Sequence, residues 1–246
     1  MTTSEDAAHA PTPRIVLLAA LGVALLALGL YLRTLHPGVG PSIDSIELHT
    51  AVAVGGLIHP PGSPQYLMLG RLATMILPGP GVAYRLNLFS ALCAAATVGV
   101  VYLLTYRLTR HLAISVFASL MLALSPRLWY QASIAELYAL NALYVALTVY
   151  FLLAWHQTRK TVFYRAATVV YALSFGNHLS MILLLPVFLY AVAITDPAML
   201  SRPRDLLITA GIVLLAALQY LYIPLRAAAN PPFCNYCPGP LPDLFR

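Results

Sequence analysis

A series of long apolar runs, separated by short polar segments, constrains the fold of this chain more than any other feature. A transmembrane helix needs about 20 consecutive apolar residues. The chain is 60% hydrophobic and only 9% charged, whereas soluble domains carry about 25% charged residues. The sequence therefore predicts an all-α, polytopic membrane protein with about seven spans. The predicted spans are Ile15–Leu32, Leu86–Tyr106, Leu112–Leu128, Ala135–Trp155, Val162–Phe175, Leu179–Ile194 and Leu206–Leu225.

The fifth and sixth spans belong to one apolar stretch, residues 162–194. As a single helix it would measure about 50 Å, which exceeds a hydrocarbon core of about 30 Å. We therefore divide it at Gly176-Asn177-His178. Both halves are then short, as is typical of helices that line a cavity rather than lipid.

The basic residues indicate orientation rather than nucleic-acid binding, because they are scattered at the ends of the apolar runs. The short loops RLTRH and HQTRK are basic and free of acids, which places them and the N-terminus in the cytoplasm. The predicted organisation is a cytoplasmic tail at 1–14 and a transmembrane module at 15–225. The module has an external loop at 34–85, and an external proline-rich tail follows at 226–246.

Two acids open the external loop, and acids are rare within this apolar part of the chain. We predict a helix over Ser45–Ile58, capped by Asp44, with Glu47 three residues on and facing the same space. The sequence His59-Pro60-Pro61-Gly62 should end it. A second helix of about 14 residues should lie in the membrane interface, with Arg71 toward the headgroups.

Four segments carry a resemblance to a known family. They are DSIELHTAVAVGGLIHPPGSPQYLMLGRLATMILPGPGVAYRLNLFSAL, SPRLWYQASIAELYALNALYVALTVYFLLAW, GNHLSMILLLP and YLYIPLRAAANPP. In this order they are similar to successive signatures of the transmembrane protein 260 family, over about residues 44–232. One span followed by a long, acid-bearing external loop also resembles the GT-C class of membrane glycosyltransferases. The chain departs from the family where Ile46 replaces a glycine and Ser63 an aromatic residue.

The resemblance implies a glycosyltransferase that moves a sugar, with mannose suggested, from a polyprenyl-phosphate donor to an external hydroxyl. The acceptor would be a protein or a glycan, and the mechanism would be inverting. Asp44 would act as general base, although a helix cap alone would also explain it. Glu47 would hold the acceptor or tune Asp44, or it is a solvated acid. Direct base catalysis needs no metal, but the acid pair could hold a divalent cation.

The remaining candidates would bind substrate. Glu136 lies near the outer end of a span and would contact donor sugar or acceptor, or it is a first-turn acid favoured by the helix dipole. His178 would contact the donor, or it has a structural role beside the helix break. Arg71, Arg85 and Arg226 would hold the donor phosphate, or they anchor lipid headgroups. His59 has a place in the family segment and most simply shapes its loop.

The three cysteines cannot all pair. Cys93 lies within an apolar run and is most simply a small buried hydrophobe. Cys234 and Cys237 form a single CxxC, which is typical of a redox pair, half a zinc site or a small disulfide, or is incidental.

Two other functional classes fit the sequence. A lipid or solute transporter would use Asp44, Glu47 and Glu136 to bind cations, but its acids would lie near the bilayer midplane and internal repeats would be expected. An inactive, truncated relative is the other alternative, because family members continue well past the YLYIPLRAA segment. No nucleic-acid partner is expected.

Overall fold

The computed structural model describes residues 11–235 and 237, which form helices linked by short turns. Within these ranges the only extended pairing is an isolated β-bridge between Leu57 and Cys234, so the all-α prediction is confirmed. The α-helices are α1 Pro13–Arg33, α2 Ile43–Val54, α3 Pro64–Ile76, α4 Val82–Thr109, α5 Leu112–Ala123, α6 Pro126–Ser133, α7 Leu137–Thr158, α8 Thr161–Ser174, α9 Leu185–Thr195, α10 Pro203–Ala217 and α11 Tyr222–Ala228. Short 3-10 segments occupy Leu179–Leu184, Pro197–Ser201 and Leu218–Leu221.

Four of the predicted spans are confirmed as helices long and apolar enough to cross a membrane. They are α1, α4, α7 and the continuous stretch Pro203–Ala228, which joins α10 and α11. A fifth crossing is possible if α5 and α6 count as one bent span. The prediction of seven spans is therefore wrong for the described residues, which supply four or five.

The predicted third span breaks at Ser125-Pro126. Ser125 has extended backbone, and its hydroxyl accepts a hydrogen bond from the backbone N–H of Leu128. A residue before proline avoids the α region, and proline has no N–H to continue the helical ladder. As a result α5 and α6 meet at an angle of 61°.

The predicted fifth and sixth spans are also shorter than a full crossing. Helix α8 has 14 residues, which is about 21 Å at 1.5 Å per residue. The chain then turns, as predicted, at Gly176-Asn177-His178, and Leu179–Thr195 begins as a 3-10 segment before becoming α9. Both segments are apolar and helical as predicted, but their helices are shorter than the predicted spans.

Helix α4 lies at the centre of the bundle and packs against α1, α5 and α7. Small residues allow close approach: a Cβ atom added to Gly99 would lie 3.2 Å from the Ala24 side chain of α1. Ala91 and Ala94 of the same helix are fully buried. Membrane helices associate through such small-residue contacts, because lipid supplies no hydrophobic driving force between them.

One end of the bundle is organised by the side chain of Asn87, in the first turns of α4. It is fully buried, and its amide nitrogen donates to the carbonyls of His36 and Gly38, both at 2.8 Å. Its carbonyl oxygen accepts from the backbone N–H of Ala135 at 2.8 Å and lies 3.1 Å from His49 Nε2. One carboxamide thus joins α2, α4, the segment after α1 and the α6–α7 link.

We call this the polar end, defined by Asp44, Glu47, His59 and Glu136. The ends of α8 and α11 also reach it, since Gly176 O accepts from Gln65 N at 2.9 Å and Arg226 Nε donates to Gly55 O at 2.7 Å. The opposite, basic end joins the ends of α4 and α7 through a hydrogen bond of 3.1 Å from Arg107 to Gln157.

We expect Asn87→Ala to lower the free energy of unfolding by about 3 kcal/mol or more. Several buried backbone groups lose their partner at once, at about 1–3 kcal/mol for each group left unsatisfied. Asn141→Ala is the matched control, because the Asn141 side chain makes no hydrogen bond to a described residue; it should change stability by less than about 1 kcal/mol. Titration with sodium dodecyl sulfate in mixed micelles measures both, and equal losses would contradict the assignment.

Candidate functional site

Helix α2 begins two residues earlier than predicted, with Ser42 as its N-cap. The Ser42 hydroxyl accepts from Ser45 N at 3.0 Å, so Asp44 lies inside the first turn and is not the cap. The helix also ends earlier, at Gly55, whose left-handed backbone (φ 65°) stops it before the prolines are reached. The prediction Ser45–Ile58 is therefore corrected to Ile43–Val54.

The prediction that Asp44 and Glu47 face one space is confirmed, and His59 joins them. One ligand atom from each of the three side chains lies within 4.8 Å of the other two. Glu47 is buried and accepts hydrogen bonds from the backbone N–H of His59 at 2.7 Å and from His59 Nδ1. The loop that carries His59 is therefore fastened to α2 through one carboxylate.

A third donor to Glu47 comes from the end of the described chain. The Asn235 amide nitrogen donates to Glu47 Oε1. The backbone of this segment pairs with Leu57, through Leu57 N to Phe233 O at 3.2 Å and Asn235 N to Leu57 O at 3.1 Å. Cys234 and Cys237 form a disulfide, one of the alternatives left open by the sequence. The rest of the predicted tails, at 1–10, 236 and 238–246, lies outside the described residues.

Asp44 is placed differently from Glu47. It is partly exposed, and its carboxylate accepts no hydrogen bond from any residue in the described ranges. Because Ser42 caps the helix, the Asp44 oxygens are not consumed by backbone N–H groups. This carboxylate is therefore free to accept a proton or to bind a ligand.

Glu136 is the N-cap residue of α7 and is only 4% exposed. It accepts a hydrogen bond from the Ser42 hydroxyl through Oε1, while Oε2 has no partner among the described residues. Burial raises the pKa of Glu136, and the charge of nearby Asp44 adds to the rise, although the Ser42 bond opposes it. Asp44 and Glu136 thus differ in environment: Asp44 is partly exposed, and Glu136 is buried, which favours its neutral form.

His178 occupies the turn after α8, where its Nδ1 accepts from the backbone N–H of Ser180 at 3.1 Å. Its ring lies 5.5 Å from that of Tyr138, at the start of α7. Neighbouring Asn177 is fully buried and donates to Leu137 O at 3.1 Å. The helix break is therefore tied to the beginning of α7, close in sequence to Glu136.

The three predicted phosphate-binding arginines each contact backbone carbonyls. Arg71 donates to Val52 O at 2.9 Å and to Ala53 O at 2.7 Å, at the end of α2. Arg85 donates to Thr74 O at 2.9 Å and to Gly79 O at 3.1 Å, after α3. The carbonyls of a last helical turn lack helical partners, and cationic side chains near them are favourable. Arg226 uses Nε for Gly55 O.

Asp44, Glu47 and His59 are also the residues suited to hold a divalent cation. Two carboxylates and an imidazole form an acceptable donor set for zinc or manganese, and the spacing of their atoms matches a shared ion. The hydrogen bond between Glu47 and His59 holds these two side chains together without a metal ion. The geometry thus accommodates a metal-bound or a metal-free site.

Several side chains that build the site were not identified from sequence. Ser42 carried a signal, because serine three residues before Ser45 and just ahead of an apolar run is a typical N-cap. The sequence gives no signal for Asn87, because a single amide side chain within an apolar helix forms no periodic pattern. Asn235 meets Glu47 across 188 positions of the chain, a separation that no local pattern reports.

Comparison with known proteins identifies the family of the chain. Residues 44–201 match the family described as the Protein O-mannosyl-transferase TMEM260 N-terminal domain. The chain belongs to the TMEM260 family. The match begins at Asp44 and includes Glu47, His59, Glu136 and His178, while Arg226 and Asn235 lie beyond it.

Two relatives show the extent of the similarity. Protein O-mannosyl-transferase TMEM260 of Mus musculus is 35% identical over 107 residues, which cover 44% of this chain and 15% of the mouse protein. The Dictyostelium discoideum protein of the same name is 27% identical over 136 residues, or 54% of this chain and 16% of that protein. The matched region thus spans about one sixth of the length of these TMEM260 relatives. No solved structure matches the chain.

We expect the stability of the protein to fall with rising pH in a way that depends on Glu136. Folding raises the pKa of Glu136, so the folded state favours the neutral carboxyl group. The stability that this group contributes is fully present below the ordinary glutamate pKa of about 4.3, and it is lost as the pH rises through the folded-state pKa. Glu136→Gln keeps the Ser42 acceptor without a charge and should flatten this slope. Asp205→Asn, at the basic end, is the control and should leave the slope of stability against pH unchanged. Thermal unfolding in detergent at several pH values checks both, and parallel profiles for wild type and Glu136→Gln would refute the pKa assignment.

Proposed function

We propose that this chain forms the site of a membrane mannosyltransferase that uses a lipid-linked donor and a protein hydroxyl acceptor. Both relatives are named protein O-mannosyl-transferases, which supports the sugar and the acceptor class. The observation that carries the proposal is the Asp44 carboxylate, accessible and without a hydrogen-bond partner in the described ranges, beside the fixed pair Glu47 and His59. Its chemistry suits a general base.

The proposed step is a single displacement at the anomeric carbon. A serine or threonine hydroxyl of the acceptor attacks, its proton passes to Asp44, and the bond between the anomeric carbon and the phosphate oxygen breaks. The lipid phosphate leaves with the bonding electrons, and the anomeric configuration inverts. Asp44 returns the proton to solvent, so atoms and charge balance without a redox partner.

Glu47 is better suited to positioning than to proton transfer. Its carboxylate already accepts from His59 N, His59 Nδ1 and Asn235 Nδ2, so donors within the chain occupy its oxygens. We assign it to holding the His59 loop against α2. Glu136 is buried, and its raised pKa favours the neutral carboxyl group. Its Oε2 has no hydrogen-bond partner among the described residues, which suits contact with a sugar hydroxyl.

The polar end is proposed to face the extracytoplasmic side. Arg107, Arg110, Arg159 and Lys160 flank the two turns at the opposite end, where short basic loops favour the cytoplasm. With this orientation Asp44 would meet external water at the level of the lipid headgroups. A lipid-linked sugar presents its anomeric carbon at this level.

The prenyl chain of such a donor requires an apolar surface within the membrane. A cavity of about 380 Å³ lies between α8, α9 and α10, lined almost entirely by apolar atoms. Tyr171, Phe188 and Val213 are among its lining residues. It has the character of a lipid-chain site. Among the predicted arginines, Arg71 and Arg226 each donate to described carbonyls through one guanidinium nitrogen, Nη1 and Nε, whereas Arg85 donates through all three. Arg71 and Arg226 therefore keep N–H groups that suit contact with the leaving phosphate.

We expect Asp44→Asn to lower the rate of mannosyl transfer by about 100-fold or more, the contribution typical of a positioned general base. The side chains are nearly isosteric, and Asp44 makes no hydrogen bond that folding would lose. The assay uses purified chain in nanodiscs with radiolabelled polyprenyl-phosphate mannose and a serine- and threonine-rich peptide.

Asp196→Asn is the matched control, because Asp196 pairs with Arg202 at the basic end and should not affect transfer. Equal activity of Asp44→Asn and wild type would exclude Asp44 as the base. Cation-dependent solute flux without transfer by the wild type would support the transporter alternative instead.

A further inference from the structure

A second cavity opens at the polar end, between α6 and α7 and next to the end of α5. Its volume is about 490 Å³. Its apolar surface comes from Leu122, Leu128 and Ala142, and its polar groups include Arg127, Gln131 and Tyr138. It is distinct from the cluster of Asp44, Glu47 and His59, none of which lines it.

Gln131 in this cavity is unsatisfied. Its side chain is only 8% exposed, and its carbonyl oxygen is buried without a hydrogen-bond partner among the described residues. A buried polar atom of this kind costs about 1–3 kcal/mol when it stays unpaired. A ligand in the cavity would remove that cost by donating a hydrogen bond to this oxygen once the side chain turned toward it.

Arg127 provides a charge at the same cavity. Its guanidinium group makes no hydrogen bond or ion pair with any residue in the described ranges, in contrast to Arg71, Arg85 and Arg226. Tyr138 lines the cavity from α7, and its ring contacts that of His178. The cavity therefore joins a free cation, an unpaired acceptor and apolar walls.

We propose that the cavity between α6 and α7 binds the hydroxylated phosphodiester headgroup of a membrane lipid. The phosphate would pair with the Arg127 guanidinium, which matches two phosphate oxygens in a fork geometry. A hydroxyl next to the phosphate would donate to Gln131 Oε1. The first methylenes of the lipid would contact Leu122, Leu128 and Ala142.

Two lipids share this chemistry: the phosphosugar donor of the proposed reaction, and a resident phospholipid such as phosphatidylglycerol. The binding inference depends on the proposed function only in the first case. The link α6–α7 is joined to the loop before α2 by the backbone bond from His36 to Ser133, 3.0 Å, and by Ser42 to Glu136. A headgroup in the cavity would therefore contact residues, Gln131 and Tyr138, that lie on either side of Glu136 in the sequence.

The test is lipid binding by full-length chain in phosphatidylcholine nanodiscs, measured by native mass spectrometry. The probes are phosphatidylglycerol, polyprenyl-phosphate mannose and phosphatidylethanol, which keeps the phosphodiester but has no free hydroxyl. We expect Arg127→Gln to weaken binding of the first two by at least about tenfold, the effect of losing one charge-assisted hydrogen bond. Gln131→Leu should remove the preference of the wild type for phosphatidylglycerol over phosphatidylethanol.

Arg33→Gln is the matched control, since Arg33 is an exposed arginine in the last turn of α1 at the same end. Tight binding of polyprenyl-phosphate mannose alone identifies the donor site, and binding of phosphatidylglycerol as well identifies a lipid site. Asp44→Asn should bind normally, so loss of transfer with intact binding separates the two proposals. If Arg127→Gln, Arg33→Gln and wild type bind all three lipids equally, the cavity is not a headgroup site.

Discussion

The buried carboxamide of Asn87 is the interaction on which the polar end depends. It satisfies two carbonyls of the segment after α1 and the backbone N–H of Ala135 in the α6–α7 link, and it lies within hydrogen-bond distance of His49. In a bundle whose helices associate mainly through small-residue packing, these directional bonds set the relative positions of the segments. Together with the direct bond from Ser42 to Glu136, they hold α2 and the α6–α7 link in a fixed relation.

This arrangement separates the roles of the acids. Ser42 caps α2 and also donates to Glu136, so one hydroxyl both begins the helix and holds the buried carboxyl group. Asp44 is thereby released from capping and stays accessible, while Glu47 is fixed by three donors. Residues three apart on one helical turn thus differ in hydrogen bonding although their side chains share one space, because the donors from the His59 loop and from Asn235 all go to Glu47.

The sequence predicted those features that depend on local composition. The four long spans followed from hydropathy, the break at Gly176-Asn177-His178 from the limit on helix length, and the shared face of Asp44 and Glu47 from helical spacing. It failed where one residue overrides composition. Pro126 bends an apolar run, and Gly55 ends α2 before its apolar pattern stops. Contacts such as Asn235 with Glu47 depend on the tertiary fold, which local patterns do not encode.

The arginines also show the difference between what local sequence predicts and what tertiary contacts decide. The sequence made Arg71, Arg85 and Arg226 candidates for a phosphate because they are the arginines nearest the loops on the predicted external side. The structure shows that short helices such as α2 and α3 end near the protein surface with unpaired carbonyls, and that arginines satisfy them. A guanidinium group that already compensates a helix end has fewer donors for a ligand. Arg127 makes no such bond in the described structure, and it lines a cavity together with Gln131, whose buried oxygen is unpaired. Helix α6 therefore supplies a further positive charge for an anionic headgroup, outside the first external loop.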